Sequence, residues 1–167
     1  MELRPPDAPL DAFFARVRRR HPDVDIVVLP PQDRAPSTQP IDEAQVDATL
    51  DRVAGTAGWV WEVALRSTAA PEAGFGFGPE EGTVVASARA SATPTEEVGA
   101  LNALRGAMEG EGWRVRHRAG AVERLSGVRG EVRVQASYSE STAALLLEVR
   151  SEPMYVGRAR ARELVRR

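Results

Sequence analysis

The sequence contains neither cysteine nor lysine, so every one of its 22 Lys/Arg-type cations is an arginine. Without cysteine, thiol catalysis and thiolate metal binding are excluded. Without lysine, Schiff-base chemistry and the lysine of a phosphate-loop NTPase are excluded as well. Histidine is scarce too, with only His21 and His117. No catalytic motif is found, and a non-enzymatic function is favoured, although the sequence leaves activity open.

Long hydrophobic stretches are absent as well. No run of about 18 apolar residues could form a transmembrane helix, and the N-terminal residues lack the apolar core of a signal peptide. The 43% hydrophobic and 28% charged residues are typical of a globular protein. A chain of 167 residues needs neither disulfides nor metal to hold a core. We therefore expect a small soluble cytoplasmic protein with no membrane partner and no cofactor.

Charge is distributed unevenly along the chain, although the formal net charge is only −2. Residues 1–57 and 58–112 are both acidic, whereas residues 113–167 carry 12 arginines against six acidic residues. A cationic surface is therefore expected in the final third of the chain.

Hydrophobic periodicity predicts helices and strands in alternation over the first two thirds. Helices are predicted at 10–17 and 41–57, and strands at 24–29 and 83–92. Residues 59–66 fit either a strand or a continued helix, and the alternation of Trp59, Trp61 and Val63 favours the strand. Residues 68–82, rich in glycine, proline and alanine, are predicted to form a loop.

A helix and a meander are predicted for the rest. Thr93, Pro94 and Glu96 form a capping box, which opens a helix that ends near Gly110. Beyond it the apolar period changes from 3.6 to 2, and short turns separate the segments, as in an antiparallel meander. The strands are predicted at 113–118, 131–138 and 145–151, and a basic helix at 156–167.

This order predicts an α+β fold, in which an antiparallel sheet built largely from the C-terminal meander has helices packed on one face. We expect a single domain over residues 1–167. Residues 1–57 would form its helix–strand–helix part and residues 58–167 its sheet–helix–meander part. The segments beside the proline-rich residues 30–40 are too short to form a separate core.

A set of arginines is the first candidate for a binding surface. Alternation places Arg114, Arg116 and Arg118 on one face of their strand, and Arg133 on the polar face of a neighbouring strand. Such a face, with the arginine-rich tail 158–167, could bind phosphates or an acidic surface.

A simpler interpretation of the same arginines is favoured. Mixed charge on a solvent-exposed face is common, and cross-strand Arg–Glu pairs are worth only about 0.2–1 kcal/mol each. The acids available for such pairs are Glu123, Glu131 and Glu148.

Two phenylalanines in the glycine-rich segment are the second candidate. Phe75 and Phe77 either pack beneath the domain or present an apolar binding surface, and the sequence does not discriminate between the two.

Histidines and neighbouring carboxylates offer only weak candidates for chemistry. His21, Asp23 and Asp25 could meet at a metal ion, but no second cluster completes a site, so no metal is predicted. His117 shares a face with Trp113, where a histidine is more often a core residue than a general base.

Three hypotheses follow. The leading one is a non-catalytic interaction module that binds an unknown protein partner or forms a homo-oligomer. The alternative is binding of an anionic ligand or nucleic acid by the arginine face and tail, with nucleic acid possible but not favoured. The third is an enzyme or small-ligand protein with a pocket near His117.

Overall fold

The computed structural model describes residues 39–67, 69–93 and 99–166, together with Arg16, Arg19 and Arg20. The chain divides into two compact units, Met1–Ala35 and Pro36–Arg167. Of the first unit only the three arginines are described, and they are helical and exposed. The predicted helix at 10–17 and strand at 24–29 otherwise lie outside the described residues. Single-domain organisation over residues 1–167 stays a prediction.

The second unit has an α+β fold, as the sequence predicts. Its described part contains three α-helices, a short 3₁₀-helix at Glu140–Thr142 and seven strands in one antiparallel sheet. The helices are α1 (Glu43–Leu65), α2 (Ala100–Gly110) and α3 (Arg158–Leu164). The strands are β1 (Gly74–Phe77), β2 (Thr83–Ala92), β3 (Arg114–Arg118), β4 (Val122–Arg129), β5 (Val132–Ser139), β6 (Ala144–Ser151) and β7 (Met154–Tyr155).

The sheet is ordered β1-β2-β6-β5-β4-β3, and the short β7 pairs with the start of β2. Strands β3, β5 and β6 match the strands predicted for the meander, and β4 lies between β3 and β5 in a segment without a predicted strand range. The chain therefore leaves β2, crosses the sheet through α2, starts again at the far edge with β3 and returns strand by strand to β2. This crossover leaves β1 at one edge of the sheet and β3 at the other.

The helices cover one face of this sheet. Strand β6 shows the division, because Leu145, Leu147, Val149 and Ser151 are buried while the alternate residues are only half-buried. The main core joins α1 and α2 to the inward residues of β2 and β4–β6. Two stacked indoles, Trp59 and Trp113, lie at its edge with their ring centroids 6.1 Å apart. A smaller cluster fixes α3 against α1 and β2 through Val46, Val84, Val156, Ala161 and Leu164.

The predicted strand at 59–66 is wrong, because helix α1 continues to Leu65. Ala57, Val60, Trp61 and Ala64 are buried at helical spacing, so the second half of the helix packs on the sheet like the first. The glycines taken as its end are tolerated within it. The helix ends instead at Arg66, whose φ of 52° places it in the left-handed region.

The predicted loop at 68–82 is also wrong in part. Gly74–Phe77 pairs antiparallel with β2 and adds an edge strand to the sheet. Glycine lowers strand propensity in general, but an adjacent strand supplies backbone hydrogen bonds that a local pattern does not reveal.

The other elements expected within the described residues are present. Strand β2 has the predicted bounds, and α2 buries Leu101, Leu104 and Met108 against the sheet. The proposed cap of α2 lies largely in residues 94–98, outside the described residues. The C-terminal helix is shorter than predicted and buries Ala161 and Leu164.

Candidate functional site

The sheet face opposite the helices carries a dense group of arginines. Outward residues from five adjacent strands follow from the pairing register, and no described helix covers them. We call the group the arginine face, and its members are Arg89, Arg114, Arg116, Arg118, Arg124, Arg133 and Arg150. All are exposed except Arg150, which is half-buried in the central strand β6. The four arginines predicted from sequence thus share one surface with three more.

The register places arginine directly opposite arginine at two positions. Arg118 of β3 faces Arg124 of β4, and Arg133 of β5 faces Arg150 of β6. Directly opposed residues hold their Cβ atoms about 5 Å apart, where like charges destabilise a sheet. The arrangement therefore costs folding free energy instead of contributing to it.

The glutamates expected to neutralise the arginine face are mostly engaged elsewhere. Glu123 lies on the helix-bearing face, with Oε1 2.6 Å from Nε2 of His117. Glu131 accepts a hydrogen bond of 3.2 Å from Arg52 of α1. Only Glu148 lies among the arginines, opposite Arg89 and Gln135. Among the described residues, none of the seven arginines forms an ion pair.

A concave region of about 690 Å³ lies on this face. Arg116, Arg118 and Arg124 line one end of it, and Gln135, Leu146 and Glu148 line the other. Ser126 and Ser137 lie between the two ends and offer hydroxyl groups. Guanidinium groups bind phosphate and carboxylate bidentately, so the basic end is chemically suited to hold an oxyanion.

The arginine-rich tail does not extend this face. Helix α3 packs on the helix-bearing face, because its buried residues contact Val46 and Val84. Two of its arginines already have partners: Arg158 pairs with Glu81, and Arg160 pairs with Glu163 and Glu43. The hydrogen bond with Glu163, more than the attraction of Glu43, raises the pKa of Arg160. The sheet separates these arginines from the candidate face.

Phe75 and Phe77 have different environments. Both lie on strand β1 and face the helix-bearing side, opposite Ala86 and Val84. Phe75 is half-buried against both apolar clusters, whereas Phe77 is 64% exposed. Of the two, only Phe77 is available as an apolar contact.

His117 is not a core residue. It lies on the helix-bearing face as predicted, but beyond the covered region, and its side chain is 25% exposed beside Glu123. A histidine–carboxylate pair needs a third group before it can act as a catalytic unit. His117 also belongs to the lining of the concave region on the arginine face.

The described residues contain no group of three His, Cys, Asp or Glu side chains that could hold a metal ion. The weak candidate of His21, Asp23 and Asp25 lies outside them. Within the same residues, no helix is long and apolar enough to cross a membrane.

Three members of the arginine face were missed from sequence. Arg89, Arg124 and Arg150 each lie in an alternating stretch, but the alternation shows only which residues share a face of one strand. Strand order and register decide which strands are neighbours. Alternation in the segment 122–129 was the available signal for Arg124, which lies in β4, outside the predicted strand ranges.

Comparisons with protein-family models, with curated proteins and with solved structures found no match to this chain. The site is therefore interpreted from its own geometry and chemistry.

Proposed function

We propose that this chain binds a phosphate-bearing ligand through the arginine face, without catalysing a reaction. The observation that carries the proposal is the pairing of Arg118 with Arg124 and of Arg133 with Arg150 in the sheet register. Opposed cations that cost stability in the free protein gain a shared counter-ion when an anion binds.

The surrounding charges support this assignment over a solvated, self-neutralised surface. Among the described residues, seven arginines lie around a single carboxylate, Glu148, while Glu123 and Glu131 are occupied elsewhere. The face is also strongly basic in a protein whose net charge is −2. Such local concentration of one charge sign accelerates the approach of ligands of opposite sign.

Binding of tripolyphosphate, measured by isothermal titration calorimetry, tests the proposal. The decisive variant is the triple substitution Arg116→Gln, Arg118→Gln and Arg124→Gln, which removes the basic end of the concave region. The matched control removes three exposed arginines elsewhere, through Arg105→Gln, Arg129→Gln and Arg162→Gln.

We expect the face variant to bind at least about tenfold more weakly than the wild type, since each charge-assisted hydrogen bond is worth about 1.5–3 kcal/mol. The control should stay within about twofold, and raising the salt concentration should weaken binding to the wild type. Equal losses in the two variants, or a wild type that binds neither tripolyphosphate nor any smaller phosphate compound, would refute the proposal. Circular dichroism of both variants verifies their fold.

A second candidate is association through the edge strand β1, in line with the leading sequence hypothesis of protein binding or self-association. The opposite edge, β3, carries arginines, which protect edge strands from pairing with other chains. Strand β1 has no charged residue and presents Phe77, which is 64% exposed. Its unpaired backbone groups could therefore add a strand from a partner.

Sedimentation velocity with Phe77→Arg tests this second candidate. A wild-type dimer that the substitution converts to monomer would support it, whereas a monomer in both would remove the self-association form. The control is Val122→Arg, because Val122 is the other exposed large hydrophobic residue of the described chain, at 39%.

A further inference from the structure

The concave region of the arginine face is polarised, and this limits the ligands that fit it. Its basic end consists of Arg116, Arg118 and Arg124, on the edge strand β3 and on β4. Its other end consists of Gln135 on β5 and of Leu146 and Glu148 on β6. Two strand spacings, about 10 Å, separate the strand of Arg124 from that of Glu148.

A ligand that carries only negatively charged groups would not account for the carboxylate of Glu148 in this region. This carboxylate is half-buried in the central strand and forms no ion pair with the described residues. An ionised carboxylate accepts hydrogen bonds and cannot donate them, so it favours hydroxyl or amino groups and repels a second phosphate.

The rest of the lining is consistent with a small organic molecule. Gln135 can both donate and accept hydrogen bonds, and Leu146 offers an apolar surface. A volume of about 690 Å³ lies within the range of small-molecule sites, about 300–1,000 Å³. The lining contains no phenylalanine, tyrosine or tryptophan on which the bases of a single-stranded nucleic acid could stack.

We infer that the ligand is a small phosphate monoester whose organic part carries hydroxyl or amino groups. This inference rests on the proposed phosphate-binding function. Arg116, Arg118 and Arg124 hold the phosphate, and Glu148 accepts hydrogen bonds from the organic part. Glu148 thus determines specificity, whereas the arginines supply affinity.

Calorimetric titration of two probes with the whole chain tests the inference. Ribose 5-phosphate carries a phosphate and several hydroxyl groups, whereas methyl phosphate carries the same phosphate and no hydroxyl donor on its organic part. We expect the wild type to bind ribose 5-phosphate about tenfold more tightly than methyl phosphate, because hydrogen bonds to a charged acceptor are strong.

Three variants test whether Glu148 causes the preference for ribose 5-phosphate over methyl phosphate. Glu148→Gln should reduce the preference to within about twofold and leave methyl phosphate bound as tightly or more tightly, since a repulsive charge is removed. Arg124→Gln should weaken both probes alike. Glu72→Gln removes an exposed carboxylate that does not line the concave region, and should leave the preference unchanged.

The outcomes separate this inference from the function on which it rests. Equal binding of the two probes to the wild type, or a Glu148→Gln variant with an unchanged preference, overturns the inference. If tripolyphosphate still binds in that case, the phosphate-binding function stands. Tight binding of a DNA duplex without binding of either probe also overturns the inference, in favour of a polymeric ligand. Failure of every phosphate compound to bind overturns both.

Discussion

Arg118 and Arg124 are direct cross-strand partners on the face of the sheet opposite the helices. Arginine remains protonated at any physiological pH, so neither side chain can relieve the repulsion by losing its charge. The same relation holds between Arg133 and Arg150 two strands away. Stability does not account for two such pairs on one face. A neutral residue at an exposed sheet position would cost little folding free energy and would avoid the repulsion.

The first prediction concerns the energetic cost of this pairing. Replacing Arg124 by threonine should raise the free energy of unfolding by about 0.5 kcal/mol, since it removes a like-charge pair. Urea denaturation at low salt measures the change. At 1 M salt, where the Debye length is about 3 Å, the gain should shrink.

Threonine also has a higher strand propensity than arginine, so this substitution needs a control in the same strand. Arg129→Thr makes the same chemical change at an exposed position where arginine pairs with Glu111 at 3.2 Å. It should be neutral or slightly destabilising. If the two substitutions change stability equally, the like-charge pair contributes nothing.

The second prediction concerns the continuous helix α1. Gly55 is exposed in its middle and a Cβ there would meet no atom within 4 Å. Gly55→Ala should therefore stabilise the protein by about 0.5–1 kcal/mol through helix propensity. Gly130→Ala is the contrast, because its φ of +56° disfavours a side chain and the substitution should destabilise. Thermal unfolding compares the two variants, and destabilisation by Gly55→Ala would contradict the helix.

The third prediction separates the two phenylalanines of strand β1. Phe75→Ser should cost about 2 kcal/mol, because it removes a half-buried ring from both apolar clusters. Phe77→Ser should change stability by less than about 0.5 kcal/mol, because that ring is mostly in solvent. Denaturant titration measures both, and equal effects would show that the rings share one environment.

The fourth prediction concerns the pair of His117 and Glu123. His117 belongs to the lining of the concave region, but its imidazole alternates onto the helix-bearing face. His117→Asn should therefore change tripolyphosphate affinity by less than about twofold. Calorimetric titration gives the affinity. A loss comparable with that of the arginine variants would place the imidazole in the binding site and favour the pocket near His117 as the functional centre.

Local patterns predicted most of the second unit correctly. The stretches around Val115, Val134 and Val149, where apolar residues repeat with a period of 2, form strands. The stretch around Leu104, where the period is 3.6, forms a helix with a buried face. These patterns suffice because each element buries one face of its own. The local patterns failed at 59–66. There Trp61 and Ala64 fit a helical stripe, and Trp59 and Trp61 fit the alternation of a strand equally well. Only packing against the rest of the fold decides between helix and strand.

The candidate site was harder to predict than the fold. The sequence placed Arg114, Arg116 and Arg118 on one face of a strand, because alternation within a strand is local. It could not show that Arg124 and Arg150 join them, because that depends on which strands are neighbours and in what register. The sequence also suggested Glu123 and Glu131 as neutralising partners of the arginines, whereas in the structure they pair with His117 and Arg52.

The sequence by itself determined the class of fold, the basic character of the meander and the exclusion of thiol and lysine chemistry, since composition and periodicity are properties of the chain alone. Only the tertiary structure decided that the arginines lie opposite one another, that Glu148 is the one carboxylate among them in the described part of the chain, and that the arginine-rich tail lies on the other face. These relations depend on strand pairing and register, and the burial of the helix-bearing face fixes the register, because a shift of one residue would expose the core.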